Sequence, residues 1–117
     1  MNYVDGFVAA VPTANREAYI KHATGAAAIF KASGALKVVE TWGDDVPEGK
    51  LTSFSLAVKR EADETVVFSW IVWPSREARD DGWKKVMADP SMQPGVNPMP
   101  FDGKRLIYGG FQMVMEA

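Results

Sequence analysis

His22, Asp5 and Glu40 are the candidates for proton-transfer chemistry in this sequence. Imidazole titrates near neutrality and can serve as general base or proton shuttle. A carboxyl group inside an apolar strand is costly unless paired, and Asp5 lies between Val4 and Gly6, Glu40 between Val39 and Thr41. Arg105 and Lys104 are candidate partners for both acids. Ser69, Tyr108 and Gln112 are further polar residues set in apolar strands. Phe7, Trp42, Trp70 and Tyr108 can wall a pocket for an aromatic or hydrophobic ligand, with Arg105 as an additional anchor. Each has a plainer alternative. The acids can form structural ion pairs at strand ends or at a dimer seam, the aromatics can fill a core, and a single histidine is not a constellation.

Other chemistries lack the residues they need. The chain has no cysteine, which removes disulfides, thiolate metal sites and cysteine nucleophiles. Asp44, Asp45 and Glu48 cluster in a turn without the ligand spacing of a calcium loop, so no metal site is assigned. Gly109-Gly110 falls inside a strand, where it marks a bulge or a close backbone approach and not a phosphate loop. No nucleotide motif is visible, and no cofactor is expected. The net charge of -2 argues against nucleic acid, because adjacent basic pairs such as Lys84-Lys85 and Lys104-Arg105 stand beside acids. There is no run of about 18 apolar residues for a membrane span. The amino terminus lacks a secretory pattern, which makes a cytoplasmic location the expectation.

At 117 residues the chain fits a single domain over 1–117, able to bury roughly 65% of its unfolded surface. Four segments carry strand character: Tyr3 to Val11, Leu36 to Trp42, Thr65 to Trp73 and Arg105 to Met115. They are apolar on both sides instead of alternating. Between the first two lies a helix running to about Ser33, opened at Pro12 to Asn15 with Thr13 or Asn15 as cap and ended by Gly34. Tyr19, Ala23, Ala26 and Phe30 form its apolar stripe, thin because of its alanines, and His22 borders the stripe about 60° from Tyr19. Gly25 within it suggests a close approach. A second helix begins at Ser75 and stops at Pro90. Ser53 to Lys59 fits either a short helix or a strand. Met92 to Pro100, rich in proline, is a lid, a partner-contacting loop or a disordered one.

The order strand, helix, strand, strand, helix, strand is the ferredoxin-like βαββαβ pattern of the α+β class, a four-stranded antiparallel sheet with both helices on one face. Two helices leave the second face of an apolar sheet uncovered. A homodimer, with two sheets packed face to face, is the expectation.

Four stretches carry a resemblance across the chain: Asn2 to Phe7, Val39 to Pro47, Val67 to Trp70 with Pro74-Ser75, and Met99 to Phe111. Together they resemble the YbaA-like family of small bacterial proteins. The resemblance implies a dimeric α/β barrel and no particular activity. Wider relatives of that fold include cofactor-independent monooxygenases, haem-degrading enzymes, isomerases and plain ligand binders, among which fold cannot choose. The second helix here has no histidine, unlike the haem-degrading relatives, which counts against haem.

Two classes of function remain open: a small-molecule pocket between sheet and helices, with a monooxygenase-like or isomerase-like enzyme as its sharpest form, and a non-catalytic structural or interaction dimer.

Overall fold

A computed structural model describes residues 1–93 and 95–117; Pro94 of the proline-rich segment lies outside the described residues. Strands β1 (Tyr3–Pro12), β2 (Lys37–Trp42), β3 (Glu64–Trp73) and β4 (Ile107–Gln112) form one sheet in the order β2-β3-β1-β4, every pair antiparallel. Helices α1 (Arg16–Ala32) and α3 (Arg76–Ala88) lie on one face. The topology is the ferredoxin-like arrangement expected from the element order.

Strand parity explains the chemistry of the two faces. On β3, Val67, Ser69, Ile71 and Trp73 are buried, while Phe68, Trp70 and Val72 between them are exposed or half-buried. Ile71 and Trp73 pack with Tyr3, Phe30 and Val86 beneath the helices, and Val67 with Ala9, Val11 and Tyr19. On the opposite side a four-residue helix, α2 (Phe54–Ala57), resolves the ambiguity of Ser53 to Lys59. The Ser53 hydroxyl caps it by accepting from the Leu56 amide, which favours the helical turn over continued alternation. Val58 then covers Val8, Ala10 and Val66 at one end of the second face. The remainder stays open, with Phe68 44%, Ile107 43% and Phe111 61% exposed.

Strands β1, β2 and β3 each differ from expectation by one residue at one end, and two elements differ by more. Strand β4 is shorter than Arg105 to Met115 at both ends. Asp102 accepts a hydrogen bond from the Lys104 amide and winds Gly103 to Arg105 into a 3-10 turn. Past Gln112, which pairs with Tyr3, β4 runs beyond the start of β1, and the Met113 amide donates to the Asn2 carbonyl at 3.3 Å before the pairing ends. At the start of α1, neither Thr13 nor Asn15 caps the helix, because a 3-10 turn precedes it. Their side chains go elsewhere: the Thr13 hydroxyl to that of Thr65, and Asn15 Nδ2 to the carbonyl of Pro100.

Gly34 closes α1 at φ +116°, the left-handed cap expected of it. At Ser75 the hydroxyl accepts from the Ala78 amide and starts α3 as anticipated. Gly82 in α3 sits directly over the Trp73 ring, where a Cβ would collide with the indole. Its missing side chain lets the helix close onto the sheet.

Candidate functional site: a cavity under helix α1

Ala23, Ala26 and Ala27 on α1 are too short to reach the sheet, and a cavity of about 240 Å³ remains between helix and strands. The thin stripe therefore leaves space beneath the helix. Phe7 and Ala9 of β1, Val38 of β2, and Val67 and Ile71 of β3 form its floor, and Phe30 and Trp83 close one end. Met99 and Phe101 of the proline-rich segment form another wall. That segment is tied to α1 by Asn15 to the Pro100 carbonyl at 3.0 Å and by Asn97 to the His22 carbonyl at 3.4 Å. Asn97 lies beside Gly25, so the approach expected at this glycine is with a loop side chain at ordinary contact distance.

Four polar side chains face this apolar space: Tyr19, His22, Glu40 and Ser69. The Tyr19 hydroxyl donates to Glu40 Oε1. Glu40 and Ser69 are register partners on β2 and β3, which brings the buried serine beside the carboxylate. Burial raises the Glu40 carboxyl above the ordinary 4.5, opposed by the hydrogen bonds from Tyr19 and Ser69 and by the nearby His22. Burial, followed by donation to Glu40 and that group's charge, raises the Tyr19 phenol still further from ionisation. Glu40 nevertheless remains exposed by surface area, because β2 is an edge strand and the residue borders the open cavity. Nδ1 of His22 is buried and has no hydrogen-bond partner among the described residues.

The structure thus brings His22 and Glu40 together and separates Asp5 from them. Asp5, 3% exposed, takes four donors: Trp73 Nε1 at 3.0 Å, Trp83 Nε1 at 2.8 Å, and the Nε and Nη2 of Arg79. Its partner is Arg79 and not Arg105 or Lys104. Arg105 instead grips the buried Glu64 with both terminal nitrogens and reaches Asp102 through Nε. Hydrogen bonding from Arg105 holds the Glu64 carboxyl below its ordinary 4.5.

Among the proposed walls, Phe7 lines the cavity, and Trp42 stands behind Tyr19 at 6.1 Å between ring centres. Tyr108 is 75% exposed and stacks on the outer flank of Phe7. Trp70 projects from the opposite face of β3, where it packs on Phe68. Tyr19 and Trp83 complete the cavity without having been singled out as site residues. Tyr19 reads as one more apolar position of the α1 stripe, and Trp83 as a helix core contact; only the placement of Glu40 opposite α1 gives the Tyr19 hydroxyl its role. Among the described residues, no three His, Asp or Glu side chains are grouped to hold a metal ion, and no helix is long and apolar enough to cross a membrane.

Residues 2–103 match the family described as "Protein of unknown function (DUF1428)". The chain is 54% identical over 116 residues, 99% of either length, to the protein named "Uncharacterized protein YbaA" in Escherichia coli K12. The same identity and coverage hold for the proteins of that name in Escherichia coli O157:H7 and Shigella flexneri.

Proposed function

The chain belongs to the DUF1428 family, and we propose that within it this protein is a small-molecule binder whose ligand occupies the cavity between α1 and the sheet. The observation that carries this is the contrast inside the cavity: an almost wholly apolar lining interrupted at one place by Tyr19, Glu40, Ser69 and His22. A few convergent polar groups in an apolar concavity fix the orientation of a bound molecule, whereas a space kept only by imperfect packing gains nothing from a carboxylate inside it. Native mass spectrometry of freshly purified protein tests the proposal. A discrete added mass that disappears in Glu40→Gln supports it; a wild-type protein that takes up no small apolar molecule at millimolar concentration refutes it.

The same protein is proposed to be a homodimer in the bacterial cytoplasm. Phe68, Ile107 and Phe111 expose apolar surface on the second side of the sheet, which a second sheet can cover, in keeping with the barrel that the family resemblance implies. Sedimentation showing a monomer at micromolar concentration would overturn this part.

A second proposal is chemical. Glu40, with its carboxyl raised by burial and His22 close by, has the makings of an acid and base pair for an isomerase-like proton transfer. Exchange of solvent deuterium into a bound, enolisable ligand, lost in Glu40→Gln, is its signature. A ligand that binds without exchange returns the protein to pure binding.

A further inference from the structure

Resting on the pocket just proposed, we infer that its ligand is a neutral hydroxyaromatic molecule of about two fused rings, with its hydroxyl donating to the Glu40 carboxylate. The size follows from the volume. A dry apolar cavity of about 150 Å³ accommodates benzene, and the 240 Å³ here leaves room for one further fused ring.

The polar end selects the functional group. Glu40 already accepts from Tyr19 through Oε1, and an ionised carboxylate has further lone pairs that can only accept. A neutral hydroxyl donates to those lone pairs without bringing a second charge into the apolar space. A hydrocarbon leaves them unpaired. A carboxylate or phosphate ligand would bring acceptor-only oxygens against Glu40, and no lysine or arginine lines the cavity to receive them. An ammonium group matches the charge of Glu40 but carries donors alone and must shed its water in an apolar space.

Titration of the intact protein with four probes of one skeleton, followed by calorimetry, decides the matter. The probes are 2-naphthol, naphthalene, 2-naphthoate and (2-naphthyl)methylammonium. The expected result is 2-naphthol binding about tenfold or more tighter than naphthalene, the effect of one hydrogen bond to a charged group, with 2-naphthoate the weakest. In Glu40→Gln the preference for 2-naphthol over naphthalene shrinks. The wild-type ranking stands as a test even if that variant fails to fold. Equal affinity for naphthol and naphthalene overturns the hydroxyl assignment and leaves the pocket intact. Tightest binding of the ammonium or the carboxylate also overturns it, in favour of a charged ligand. If none of the four binds, both the ligand class and the pocket fall.

Discussion

Arg79 meets Asp5 side-on, Nη2 2.8 Å from Oδ1 and Nε 3.2 Å from Oδ2, although 74 positions separate them in sequence. The pair joins α3 to β1, and the two indole donors from Trp73 and Trp83 complete the carboxylate. Truncating Asp5→Ala leaves Nε and Nη2 of Arg79 and two indole N–H groups without their acceptor, while Nη1 keeps Asp80 at 3.0 Å. The expected cost is about 3–5 kcal/mol, because breaking a buried pair strands its partner. Urea denaturation measures it; a loss under 1 kcal/mol would mean that water replaces Asp5 freely.

Gly82→Ala pits two effects against each other. Alanine improves helix propensity by about 1 kcal/mol, yet its Cβ would meet the Trp73 ring. Overpacking of this kind costs typically about 1–3 kcal/mol, and Trp73, fully buried and held by Asp5, has nowhere to move. Net destabilisation is expected, together with a changed Trp73 near-ultraviolet signal. A stabilised variant would show that α3 can lift from the sheet at little expense.

Glu40 and Glu64 pull stability in opposite directions with pH. The Glu40 carboxyl is raised, so the folded protein holds its proton more tightly than the unfolded chain. Its stabilising contribution is complete below the ordinary 4.5 and fades as pH rises through the raised value. Glu40→Gln, permanently uncharged, should flatten that part of the stability curve. Denaturation midpoints measured from pH 4 upward, wild type against variant, check it; parallel curves would contradict the shift.

For Glu64 the sign reverses. Its carboxyl is lowered by Arg105, so its contribution is present above 4.5 and is lost as pH falls through the lower folded value. Glu64→Gln is expected to be less stable than wild type at neutral pH and to converge with it in acid. Arg105→Ala should behave likewise and leave ligand affinity untouched, because Arg105 is committed to Glu64, Asp102 and the Lys59 carbonyl away from the cavity. Weakened binding in Arg105→Ala would place this guanidinium back among the ligand contacts.

The architecture was legible because its signals are local. The doubled apolar faces of the strands, Gly34 after α1, Ser75 before α3 and the order of elements all speak within a few residues of themselves. Pairings were far less legible. Nothing near Asp5 points to Arg79, since adjacency in the sheet and the angle of α3 set that contact, and Arg105 was the more conspicuous cation. The apolar residues of the last strand continue beyond the point where β1 begins, so its sequence pattern outruns its pairing. At the candidate site, His22 and Glu40 stood out by residue type, whereas Tyr19 was hidden by its service to an apolar stripe. Trp70 shows the limit of composition: an aromatic residue one position from Ser69 belongs to the other side of the sheet.

The two halves of the cavity are built on different foundations. Its polar end is anchored in α1 and in paired strands, where a shift of one residue would turn every neighbour around. The wall made by Met99 and Phe101 hangs from α1 by two side-chain hydrogen bonds. Lengthening or replacing that segment would reshape the volume offered to a ligand while Tyr19, His22 and Glu40 stayed in place. The fold therefore separates what the site does to a hydroxyl from how large a molecule it admits, and descendants of such a chain can change the second by loop substitution without rebuilding the first.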